Sequence, residues 1–331
     1  MSLKGINQTT VLVILALLCL ACLVLATALG SVSHSPAEWW YALTHPATRE
    51  GELLWRLRIP RALAAFGVGA MLAVAGCLMQ VLLRNPLADP YILGVSGGAA
   101  CFALLSMSLG LAVVLMPVMA LMGALASILL VFGLARGSGP WSGTRLLLTG
   151  VVTASGWGAL ISLILATGPD NSLRGMLFWL MGDLSYAQLP AWAIAVLLGA
   201  VALVLALSRS LNVLAMGETT ARLLGESTHV LLWGVYFLAS LLTATAVSVA
   251  GSIGFVGLIV PHLMRLLVGS DHRILVPAAA LFGGAFLVLS DTLARTVIAP
   301  RQLPVGVITA LLGVPLFLLL LNRARLRPEA Q

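Results

Sequence analysis

The chain has 331 residues, of which 60% are hydrophobic and 9% charged, against about 25% charged in an average soluble domain. That composition excludes an ordinary soluble fold, which needs more polar surface. The net charge of +7 invites a nucleic-acid reading. The basic residues, however, stand singly between apolar runs and form no stripe that could follow a phosphate backbone, so no nucleic-acid partner is expected. The 33 glycines suit close helix–helix approach in lipid.

The first apolar run, Val11 to Leu29, follows Lys4 and resembles a signal peptide. It is long enough to span a bilayer and further spans follow, so it is read as a retained first helix. Cys19 and Cys22 have C-x-x-C spacing, but no His, acid or second cysteine pair stands near them. They, Cys77 and Cys101 are read as small apolar side chains.

Ten segments are apolar enough to cross: 11–30, 60–82, 91–109, 112–134, 144–167, 190–207, 229–250, 254–268, 273–297 and 304–321. The eighth is short, and the weak break between the third and fourth leaves nine or eleven spans open. The chain is therefore expected to be a single all-α polytopic membrane domain over 1–331. With ten spans and cytoplasmic termini, eleven basic residues fall inside and seven outside. The positive-inside rule favours that orientation. The margin is narrowed by one outer cluster, Arg56, Arg58 and Arg61, for which docking of an acidic partner and simple snorkelling are equal alternatives.

Residues 168–189 are expected outside, with a short interfacial helix through Met176, Leu177, Trp179 and Leu180. Residues 208–228 are expected inside, as two short helices punctuated by Gly217 and Gly225. Their apolar face would comprise Leu211, Leu214, Leu223 and Leu224. Such a knob suits a soluble partner; an ordinary amphipathic loop is the alternative. Val74-Ala75-Gly76 precedes Pro86 as Val249-Ala250-Gly251 precedes Pro261. Five spans separate the two echoes, as in an inverted repeat.

All eleven acids lie in loops or near span ends. Asp291 stands deepest, four residues before Arg295, a spacing that predicts a structural ion pair. The chain thus lacks the intramembrane acid relay of an ion-coupled carrier, the main alternative function. It also lacks the G-x-x-x-x-G-K-[ST] loop that binds nucleotide phosphates. No nucleophile–base pair or metal-ligand set stands out, and His262, after Pro261, is read as a polar anchor. No cofactor and no catalytic residue are expected.

The segment from Arg84-Asn85-Pro86-Leu87-Ala88-Asp89-Pro90 to Gly94-Val95-Ser96-Gly97-Gly98 resembles the signature of the permeases that import ferric siderophores, haem and cobalamin through ABC systems. Arg58-Ile59-Pro60-Arg61 resembles the opening of that family's second helix. Gly251 to Arg265 resembles its G-x-I-x-F-x-G-L-x-x-P-H-x-x-R block. Leu303-Pro304-Val305-Gly306 resembles its E-L-P-x-G element, with Gln302 in place of Glu. The likeness covers about residues 50–322.

The resemblance implies a type II ABC importer fold: a homodimer of ten-helix subunits in the inner membrane with the pathway on the two-fold axis. Two ATP-binding cassette subunits would sit on the cytoplasmic face and a substrate-binding protein outside. It places ATPase coupling on Gly217, Glu218, Arg222 and Gly225, and binding-protein docking on Arg58, Arg61 and Arg295. The fifth span, through Thr149, Thr153, Ser155 and Gly156, is a candidate pathway wall. The cargo is not named by these motifs.

Overall fold

A computed structural model describes residues 8–30, 35–135, 143–185 and 187–325. Lys4, Arg136 and Arg327, used in the topology count, lie outside the described residues. Every regular element among the described residues is helical. The chain opens with α1 (Gln8–Ala28), then the short α2 (Pro36–Thr44) and α3 (Arg49–Leu53). A π-helical turn over Leu54–Arg58 leads into α4 (Ile59–Leu82). Next come α5 (Val95–Ser108), α6 (Met116–Ala135), α7 (Gly143–Thr167), α8 (Asp170–Leu180) and α9 (Ala191–Ala206). The knob comprises α10 (Ser208–Ala215) and α11 (Glu218–Leu223). The remaining helices are α12 (Thr228–Ala250), α13 (Val256–Val268), α14 (His272–Thr296) and α15 (Val305–Arg325).

Each of the ten apolar segments coincides with a helix. Six helical stretches among the described residues are long and apolar enough to span, α9 passes the same test only when taken together with α10, from which it is bent by 67°, and α5, α13 and α15 are shorter apolar helices. The spanning window of α4 is 89% buried, and α4 packs against α12, α13 and α14. Its sequence, rich in Ala and Gly, explains why: lipid tails are as apolar as Leu, so helices associate there by close backbone approach. A Cβ on Gly76 would overlap the carbonyl oxygen of Gly257 on α13, and one on Gly69 that of Gly283 on α14. Cys19 and Cys22 are buried, and the Cys19 thiol donates to the Leu281 carbonyl at 3.0 Å.

The third and eighth spans are shorter than their apolar runs. Helix α5 has 14 residues and α13 has 13, about 20 Å each at 1.5 Å per residue, against a hydrocarbon core of about 30 Å. Each opens on a left-handed residue, Gly94 at φ 70° and Phe255 at φ 71°. The 3-10 turn Pro90–Leu93 before α5 meets the unwound segment before α13: the Ile253 N–H donates to the Tyr91 hydroxyl at 3.0 Å. This pairing of half-length helices is the visible internal likeness. The sequence echo is a different matter, because Gly76 lies inside α4 whereas Gly251 closes α12. Its residues are not equivalently placed.

Two local expectations need correction. Helix α8 forms, but Met176 and Trp179 turn into the core while Leu177 is exposed, so the four apolar residues do not share one interfacial face. In the knob, Leu211 and Leu214 are buried whereas Leu223 and Leu224 are exposed. The two helices are separated by a break at Met216-Gly217, with Gly217 at φ 126°.

Candidate functional site

Polar side chains collect at the two ends of the bundle. Helices α4 and α14 run antiparallel, so the start of one meets the end of the other. The 24 residues of α4 separate the two ends by about 36 Å.

At the first end, Asp291 of α14 is 1% exposed and holds two arginines. Arg61 of α4 donates from Nη2 to Oδ1 at 2.7 Å and from Nε to Oδ2 at 3.0 Å. Arg295 donates from Nε to Oδ2 at 3.0 Å. The predicted Asp291–Arg295 pair is thus present, and Arg61 joins it from 230 residues away. Remaining donors are also bonded: Arg61 Nη1 to Gln302 Oε1 at 2.9 Å, and Arg295 Nη2 to the Ala26 carbonyl at 3.1 Å. Arg58 donates to the carbonyls of Thr27 and Ala28, at the C-terminus of α1, where a cation is favoured by the exposed carbonyls. All three expected docking arginines therefore lie together, beside a concavity of about 700 Å³. Sequence reasoning missed Arg61 as the second partner of Asp291. Arg174 of α8 and Arg301, which line the same concavity, were also left out of the expected docking set.

At the other end, Glu218 opens α11 and pairs with Arg222 one turn on, and with Arg84 Nη2 at 3.5 Å. Arg222 Nε also donates to the Thr228 hydroxyl at 3.1 Å, tying α11 to α12. Gly217 at φ 126° and Gly225 at φ 85° frame this helix in backbone that side-chain-bearing residues rarely adopt. All four expected coupling residues thus sit on one small element. Exposed Met216, Leu223 and Leu224 give it an apolar surface.

Beside the knob, Asn212 locks α10 to the start of α14. Its Nδ2 donates to Asp271 at 2.8 Å, and its Oδ1 accepts from the His272 backbone at 3.0 Å. The Asn212 bond holds the Asp271 carboxyl below the usual carboxylate range. Those bonds form part of the wall of a second concavity of about 520 Å³, with Arg84, Arg265 and Gln80.

Helix α7 carries the expected pathway residues and is the least covered span, at 11% buried. Thr153 is buried, Thr149 half-buried, and Ser155 and Gly156 exposed. Among the described residues no group of three His, Cys, Asp or Glu side chains converges as a metal site would require.

A discontinuous helical bundle with a charged cluster at one end and a compact helical knob at the other defines a membrane transport subunit. The comparisons make this specific. Residues 16–323 match the FecCD transport family, and the chain belongs to that family. It is 40% identical over 306 residues to the hemin transport system permease protein HmuU of Yersinia pestis, covering 90% of each chain. It is 38% identical over 316 residues to the vitamin B12 import system permease protein BtuC of Shigella boydii, covering 93% of this chain and 95% of that one. A solved metal-chelate type ABC transporter in an inward-facing conformation aligns with TM-score 0.85 and 32% identity, over 95% of this chain and 99% of that one. The protein is thus the multi-pass permease subunit of an ABC importer and not itself a catalyst. Such a permease works with an ATPase and a binding protein.

Proposed function

We propose that this permease translocates a bulky metal chelate, a ferric siderophore, haem or cobalamin, as a homodimer in the inner membrane with both termini cytoplasmic. The observation that carries the reading is the spatial separation of the two polar ends on one continuous helical frame. The Asp291 end is extracytoplasmic and receives the binding protein on the basic rim around the cluster in which Arg58, Arg61 and Arg295 lie. The α10–α11 knob is cytoplasmic, and each of two ATPase subunits engages one copy through Gly217, Glu218, Arg222 and Gly225. The exposed face of α7, with Ser155 and Gly156, faces the second copy across the pathway, and Thr149 and Thr153 support that wall. Likeness to relatives named for hemin and vitamin B12 supports the chelate class.

The test is uptake by proteoliposomes containing the permease, its ATPase and the binding protein encoded with it. Radiolabelled ferric siderophore, haem and cobalamin are offered separately. Uptake of one of the three, dependent on ATP and binding protein, is expected. Uptake of none of them, with an active ATPase, would remove the cargo assignment.

A further inference from the structure

We infer that Arg174 and Arg301 present the free positive charge that meets carboxylates of the docked binding protein, while Asp291 withdraws Arg61 and Arg295 from that task. The inference rests on the docking reading of this rim and assigns the work within it to different residues.

Five arginines line the concavity: Arg58, Arg61, Arg174, Arg295 and Arg301. Against them stand Asp183 on the wall and Asp291 beneath, which leaves 5 − 2 = +3. The five are not equivalent. Arg295 is 7% exposed, and its Nε and Nη2 are already bonded to Asp291 and Ala26. Arg61 gives Nε and Nη2 to Asp291 and Nη1 to Gln302. A partner carboxylate reaching either one would have to compete with a buried carboxylate at 2.7–3.0 Å, and stripping Asp291 of its partners leaves an unpaired buried charge.

Arg174 and Arg301 are both exposed, and neither meets a carboxylate among the described residues. Arg174 lies over its own helix neighbour Phe178, with the guanidinium carbon 5.6 Å from the ring centroid. Such stacking orients the planar group yet leaves its N–H edges available. Arg301 stands on the loop between α14 and α15, its backbone fixed by an N–H to Ile298 carbonyl bond at 3.0 Å. The two therefore project from separate elements at the exposed margin of a basic hollow whose deeper arginines, Arg61 and Arg295, are already bonded to Asp291. Exposed, unpaired charges of one sign govern the long-range attraction of an oppositely charged protein. An acidic surface of a soluble binding protein fits this margin better than a small anionic cargo, which would seek the enclosed floor.

The test uses the permease–ATPase complex in nanodiscs and the binding protein encoded with it. Association rates are measured across a range of ionic strength for the parent, for Arg174→Glu with Arg301→Glu, and for the milder Arg174→Gln with Arg301→Gln. At low salt the Glu pair is expected to slow association by about tenfold or more, and to flatten its salt dependence. The Gln pair should fall between, and neither should lower the thermal unfolding temperature. The inference is overturned if the parent associates in a salt-dependent way and both double variants keep its rate and slope. It is equally overturned if association survives while uptake of an anionic chelate is lost, since the arginines would then serve the cargo. Failure of the parent itself to bind would instead remove the docking reading on which the inference depends.

Discussion

Asp291 shows how an intramembrane-edge charge is kept tolerable. Removing one carboxylate from water is expensive unless its charge and lone pairs are matched, and here both oxygens accept from guanidinium groups. The pairing is evidence of mutual dependence rather than of net stabilisation. Asp291→Ala would leave Arg295 and the inner part of Arg61 uncompensated. Loss of one member of such a buried pair typically costs about 3–5 kcal/mol. A marked fall in unfolding temperature in detergent is expected, and an unchanged temperature would show that the arginines find solvent instead. Arg295→Ala should likewise lower stability while leaving binding-protein association at the parent rate. The Asp291–Arg295 half of this cluster was legible from a four-residue helical spacing. The Arg61 half was not, because it depends on α4 and α14 packing antiparallel, a tertiary fact with no local signature. The structure also places Gln302 as an acceptor for Arg61.

Among the elements, the half-length helices α5 and α13 do most to shape the bundle. Their apolar segments, 91–109 and 254–268, begin before the helices do, since Tyr91 to Leu93 form a short 3-10 turn and Gly254 and Phe255 precede α13. Apolar length therefore set their starts too early, and only the left-handed backbone at Gly94 and Phe255 marks where each helix begins. The α4–α13 contact depends on the absence of a side chain at Gly76. Gly76→Val would press a branched side chain against the Gly257 backbone, an overpacking that typically costs about 1–3 kcal/mol. Reduced yield of folded permease in detergent is the expected readout, and a normal yield would mean that α13 yields readily.

The knob behaves differently. A Cβ on Gly225 would meet open space, so its requirement is conformational rather than steric. A residue with a side chain at φ 85° is disfavoured by roughly 1–2 kcal/mol, enough to re-aim α11 without unfolding the bundle. Bulky residues at Gly217 or Gly225 should therefore uncouple ATP hydrolysis from uptake while binding-protein docking persists. Coupled transport at the parent level in both variants would remove the coupling assignment. From sequence, two short helices were legible, with Leu211, Leu214, Leu223 and Leu224 on one apolar face; the structure buries Leu211 and Leu214 and leaves Leu223 and Leu224 exposed. A helical wheel drawn through residues 208–228 does not register the helix break at Met216-Gly217.

For the whole molecule, ten apolar segments and their order were readable because most are long and the composition leaves no soluble alternative. Among the described residues α7 is the least covered span, exposed along most of its length, and on the proposed reading a second copy completes that wall. The chain has no nucleotide-binding loop of its own. On the proposed reading, energy enters through the knob and is felt at the far end, about 36 Å away. The most direct test of this account is uptake into proteoliposomes assembled with components omitted one at a time. The account predicts chelate uptake only when permease, ATPase, ATP and loaded binding protein are all present, and none under a proton or sodium gradient alone. Uptake by the permease by itself, driven by an ion gradient, would contradict it.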